Sequence, residues 1–80
     1  MDREKAAVIL KICKHEMEDK VDDFNVSGSW RRGAVILGDL DIIIIPKKGL
    51  KLKDCIPPSY EDINWLGETK AQIVIMGEKI

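Results

Sequence analysis

The sequence predicts an α+β domain: a small mixed or antiparallel sheet of about three strands with an N-terminal helix packed on it. Three observations carry this. Over residues 2–22, Ala6, Ile9, Leu10, Cys13, Met17 and Val21 recur at spacings of three and four, the period of an amphipathic helix. Residues 40–45 include four consecutive isoleucines and are closed by Pro46, a β-branched run that reads as a strand. Residues 71–76 read as another strand, following the turn-like Gly67-Glu68-Thr69-Lys70.

The helix begins with Asp2 and Glu4, where the helix dipole favours negative charge, and places Lys5, Lys11, Lys14, Glu18 and Asp19 on its wet face. His15 is read as a solvated helix residue; it cannot share a helix face with Cys13, two positions away. Asp22-Asp23 breaks the helical pattern. Residues 24–27 then alternate as a half-buried strand, with Phe24 and Val26 inward, and Gly28 ends it. Residues 29–33 suit a single helical turn, and residues 34–37 an apolar loop packing inward. The strand at residues 40–45 is apolar on both faces, which predicts a central position covered on both sides.

Residues 47–53, with four lysines, form a basic loop or the start of a short helix running to Ile56. Pro57-Pro58-Ser59 marks a connection. Residues 60–66 suit a short strand through Ile63 and Trp65. Gly77-Glu78-Lys79 has the composition of a hairpin turn, and Ile80 reads as the entry to a further strand.

Eighty residues, 45% hydrophobic and 34% charged, suit one globular domain with a single modest core, residues 1–80. The formal net charge of -1 supplies no global basic field, so any nucleic-acid contact must come from a local patch. No run of about 18 apolar residues predicts a membrane span, and the N-terminus lacks the cleavage pattern of a signal peptide. Cys13 and Cys55 read as free thiols of a reducing compartment. The expected location is intracellular (cytoplasm, nucleus or a virus-infected cell), not secreted.

The chemistry concentrates in residues 26–46, VSGSWRRGAVILGDLDIIIIP. Asp39 and Asp41 stand two apart at the head of a strand, so the period of two points both carboxylates the same way. Adjacent carboxylates repel, and a divalent cation removes the conflict. Mg²⁺ is commonly held by one or two carboxylates together with substrate phosphates. Gly28 permits close approach of backbone to a ligand, and Ser29 offers a hydroxyl and an N–H. Arg31 and Arg32 provide guanidinium forks for phosphate oxygens, and Gly38 clears space beside the acids. A phosphate cradle beside a metal-binding acid pair is what nucleotidyl transfer requires.

Gly28-Ser29-Trp30-Arg31-Arg32-Gly33, four residues, then Gly38-Asp39-Leu40-Asp41 and aliphatics resembles the nucleotidyltransferase palm of family X DNA polymerases, the DNA polymerase beta type. Gly67-Glu68-Thr69-Lys70 before an apolar strand resembles that family's Gly-Glu-Thr-Lys element, so the likeness spans residues 24–79. The resemblance implies an enzyme that transfers a deoxynucleotide to a DNA primer 3′ hydroxyl on a primer-template, in DNA repair or replication. It implies Asp39 and Asp41 as ligands of two Mg²⁺ (or Mn²⁺) ions. It implies Ser29 and Arg32 on the β and γ phosphates of the nucleoside triphosphate, with Gly28 and Gly38 lining the same pocket. Arg31 would support the site, and Thr69 and Lys70 would touch nucleic-acid phosphates, which position without reading sequence. Trp30 reads as a packing aromatic.

Three departures qualify the implication. The family's third aspartate belongs on a strand following the one at residues 71–76, where this sequence reaches Ile80. The expectation is therefore a palm truncated before that acid and impaired by itself. The segment between Asp41 and Gly67 is short for a crossover helix, and Leu66 stands where a lysine often precedes the Gly-Glu-Thr-Lys element. An open edge on the strand at residues 71–76 is expected to recruit a second chain or a second copy. Two other readings stay open: a small nucleotidyltransferase with a non-DNA acceptor, and a non-catalytic structural remnant or module.

Overall fold

The computed structural model describes residues 1–28, 30–38 and 40–80, so Ser29 and Asp39 lie outside the described residues. Among the described residues one helix, α1 (Arg3–Met17), precedes five strands: β1 (Val21–Ser27), β2 (Asp41–Pro46), β3 (Asp62–Leu66), β4 (Ala71–Ile75) and β5 (Glu78–Lys79). The α+β class holds. All pairings among the described residues are antiparallel, and the strands divide between a two-stranded sheet, β1-β2, and a three-stranded sheet, β3-β4-β5.

Helix α1 is capped by Asp2, whose carboxylate accepts the Lys5 N–H at 2.8 Å. Glu4 in the first turn and Lys14 and His15 in the last complement the dipole. Its inward stripe is Ala6, Ile9, Leu10, Cys13 and Met17, all buried. The helix stops at Met17, short of the expected residue 22. Val21 keeps its buried place, but as the first residue of β1, opposite Pro46. Strand pairing therefore begins three residues before Phe24, with a register shift between Val21 and Asp23 that accommodates Asp22.

The expectation that β2 is central and covered on both faces is overturned. Among the described residues β2 pairs with β1 alone, and its burial alternates. Ile42 and Ile44 face the core, whereas Ile43 and Ile45 remain 56% and 55% exposed. A two-stranded ribbon with a helix on one side leaves the other face wet. The loop at residues 34–37 also packs inward only in part: Leu37 is buried, while Val35 and Ile36 are exposed. Leu37 is held by reciprocal backbone bonds with Met1, each 2.7 Å.

The basic segment forms one short 3₁₀ turn, Leu52–Asp54, closed by the Lys51 N–H donating to Asp54 Oδ2 at 2.9 Å. In the second sheet β4 is central, between β3 and β5. The hairpin turn falls one residue earlier than expected, at Met76-Gly77, both with positive φ (52° and 76°). That backbone matches the twist of a two-residue hairpin, so Glu78 and Lys79 pair with Ile75 and Val74 instead of turning. Among the described residues the largest fully buried side chains are Ile9, Cys13, Leu37, Leu40, Cys55 and Ile75, drawn from the helix, the loops and the second sheet. Among the described residues no helix is long and apolar enough to cross a membrane.

Candidate functional site

Ser27, the last residue of β1, lies opposite Asp41, the first of β2. The chain leaves β1 through Gly28 in the left-handed region, φ +69°. A Cβ built at Gly28 would fall 2.7 Å from Asp41 Oδ2. The dihedral favours glycine, a side chain there would make the Asp41 carboxylate shift, and the two motifs singled out in the sequence meet here. The Arg32 N–H then donates to the Gly28 carbonyl at 3.2 Å, and the Gly33 N–H to Trp30 at 3.1 Å. This is the single turn expected after the strand.

That turn is anchored from a distance by a residue sequence reasoning missed. Arg3, in the first turn of α1, donates from Nη1 to the carbonyls of Trp30 (3.2 Å) and Ala34 (3.1 Å). Its guanidinium also lies 4.1 Å from the centre of the Trp30 ring, a cation–π contact. The one sequence signal was a cation at the start of a helix, where the dipole disfavours it. Trp30 is half-buried against the core, as a packing aromatic should be.

The side chains of Arg31 and Arg32 and the backbone at Gly38 are exposed. A Cβ at Gly38 would meet nothing within 4 Å, so no local packing requires glycine there. Ser29 and Asp39 carry two of the central expectations and lie outside the described residues. Thr69 and Lys70 are exposed in the turn between β3 and β4, which the Gly67 N–H closes on the Lys70 carbonyl at 2.8 Å.

An open cleft of about 1440 Å³ runs between β2 and the β3–β4 hairpin. Asp41 lines it on one side and Thr69 and Lys70 on the other. The structure thus brings Gly28 to Asp41, and sets Asp41 in one cleft with Thr69 and Lys70. Arg31, Arg32 and Gly38 do not line that cleft.

The exposed Asp41 carboxylate is one hard oxygen donor, the ligand type Mg²⁺ takes together with waters and phosphate oxygens. Among the described residues no three His, Cys, Asp or Glu side chains converge to hold a metal by themselves. A cation at Asp41 therefore needs oxygens from Asp39, water or substrate.

The two free thiols are buried. Burial, reinforced by the Glu16 charge, pushes Cys13 from 9.0 up to about 11, and burial with Asp54 raises Cys55 as well. Both are poor nucleophiles at neutral pH and act as small core residues. No protein-family model, curated protein or solved structure matches the chain.

Proposed function

We propose that the chain is the nucleotidyltransferase palm of a family X-like DNA polymerase. It binds a deoxynucleoside triphosphate with Mg²⁺ for transfer to a DNA primer 3′ hydroxyl. The observation that carries this reading is the approach of Gly28 to Asp41 Oδ2, which joins the Gly-Ser motif to the Asp-x-Asp motif at one end of the β1-β2 ribbon.

The roles follow from residue chemistry. Asp41, with Asp39, holds the cation. Bound Mg²⁺ neutralises triphosphate charge and the charge that develops on the leaving pyrophosphate. Gly28 leaves the carboxylate uncrowded. Arg32, tied by its backbone to Gly28, directs its fork to the β and γ phosphates, and Ser29 adds a hydroxyl donor. Arg3 holds the turn that carries Arg32 and is a positioning residue. Thr69 and Lys70, across the cleft, meet nucleic-acid phosphates. With two carboxylates assigned to the site, turnover by residues 1–80 alone is expected to be very low.

Calorimetric titration of dTTP with Mg²⁺ tests the cradle. Asp41→Asn and Arg32→Ala are each expected to weaken binding by about tenfold or more, the size of one charge-assisted contact. Binding that ignores both substitutions, or no binding at all, overturns the reading. Primer extension by residues 1–80 alone at an ordinary polymerase rate would overturn the expectation that two acids give very low turnover.

A further inference from the structure

The edge expected to be open at residues 71–76 is closed, because β4 lies between β3 and β5. The cleft that Asp41 lines has more to offer. It holds about 1440 Å³, beyond the roughly 300–1,000 Å³ of a small-ligand pocket. Lys51 and Lys53 line it from the segment after β2, Lys70 from the β3–β4 turn and Lys79 from β5. All four are exposed, and among the described residues the one ion pair, Lys5 with Glu78, involves none of them. Among the described residues the acids lining the cleft are Asp41 and Glu68, so the cleft is basic on a chain whose net charge is -1. This is the local patch that a nucleic-acid contact requires.

A register shift brings an aromatic into the same cleft. Ile63 lies opposite the buried Ile73. In a regular strand Trp65, two residues on, would share that inward face. Asn64 is left without a cross-strand partner, and Trp65 pairs with Gln72 instead. Paired residues share a face, so the indole is turned away from that of Ile73. The Asn64 amide, donating to Gln72 Oε1 at 2.9 Å, lies on the same side. Trp65 is left 50% exposed and lines the cleft together with Gln72.

We propose that this cleft takes a single strand of DNA, with a base stacked on Trp65 and phosphates on Lys51, Lys53 and Lys70. The strand's role as template rests on the proposed function, which already assigned Lys70; the stacking platform and the two lysines after β2 are new to it. Stacking on an indole needs free base faces, which a duplex hides between neighbouring pairs. Lysines are point charges that follow phosphates in any sequence. The strand is therefore held by its backbone and its base planes, without sequence preference.

Fluorescence anisotropy of a labelled oligothymidylate of about 12 nucleotides, over a salt series, tests the proposal. Calorimetry of dTTP with Mg²⁺ accompanies it on the same variants. The wild-type chain is expected to bind the single strand more tightly than a duplex of equal length. Trp65→Ala is expected to weaken that binding about tenfold with an unchanged salt slope, and Trp65→Phe to recover most of the loss. Lys51→Gln/Lys53→Gln is expected to make the slope of log affinity against log salt shallower by about 1.4, at about 0.7 per phosphate contact. These side chains lie at the surface, so circular dichroism and dTTP binding are expected to stay as in the wild type. No binding of oligothymidylate at low salt overturns the proposal. So does binding that ignores Trp65→Ala, a duplex bound as tightly, or oligouridylate bound more tightly. Oligothymidylate binding by a chain that does not bind dTTP overturns the proposed function and the template role instead, and supports the cleft as a single-strand site.

Discussion

Gly28 and Gly33 share a left-handed backbone, φ +69° and +78°, but only Gly28 has a neighbour that a side chain would strike. The pair separates backbone cost from steric cost within a single turn. Gly33→Ala pays only the left-handed conformation, about 1–2 kcal/mol. Gly28→Ala pays that and must also displace the Asp41 carboxylate, so its urea midpoint is expected to fall further. Equal losses for the two variants would show that Asp41 moves aside freely and that the close approach carries no constraint. Arg3 belongs to the same scale: one guanidinium ties α1 to two carbonyls and an indole at the turn. None of these partners adjoins it in sequence.

At the scale of elements, the connection at residues 57–59 is docked on the helix. The Ser59 N–H donates to Glu16 Oε1 at 2.8 Å, and its hydroxyl donates to Glu16 Oε2. These bonds favour the carboxylate and lower the Glu16 pKa below 4.5, the hydroxyl contributing most. A carboxyl lowered on folding contributes stability above its unfolded value, and that contribution is lost as pH falls through the folded value. The docking is therefore expected to be complete at neutral pH and to loosen in acid. An NMR titration of the Glu16 carboxyl should show Ser59→Ala returning its pKa toward the ordinary range. An unchanged titration would mean that Ser59 does not set it. Strand β2 gives the other lesson at this scale. Its composition promised burial on both faces, yet the number of neighbours it receives is decided by topology, and topology gives it one.

Across the whole molecule the largest fully buried side chains come from distant segments: Ile9 and Cys13 from α1, Leu37 and Leu40 from the loop before β2, Cys55 from the segment after it, and Ile75 from the second sheet. Two of these six are thiols, which makes the core sensitive to alkali. A raised thiol pKa stabilises the fold below the unfolded value and loses that contribution as pH rises through the folded one. For Cys13 the window runs from 9.0 to about 11. Stability of the wild-type chain is expected to fall more steeply across that interval than stability of Cys13→Ala, measured by urea unfolding at each pH. Parallel curves would show that the Cys13 thiol titrates alike in both states.

The α+β class, the buried stripe of α1, the strands near residues 40–45 and 71–76, and the turn after Gly28 were legible because each rests on local periodicity or on glycine and proline chemistry. Val21 shows the limit. Its spacing from Met17 suits a helix, but pairing opposite Pro46 places it in a strand, and no local pattern distinguishes the two. Met76 is similar: its positive φ is imposed by the twist of the hairpin, against the preference of its side chain. In the candidate site, Gly28 and Asp41 could be picked out as residue types suited to phosphate and metal.

By itself, then, the sequence determined the elements with a strong period and the residue types available for chemistry. Only the tertiary structure decided that Gly28 lies against Asp41, that Arg3 holds the intervening turn, and that, among the described residues, β2 pairs with β1 alone while β4 lies between β3 and β5. Periodicity and turn propensity act within a few residues, whereas these three facts depend on which distant segments the shared core draws together.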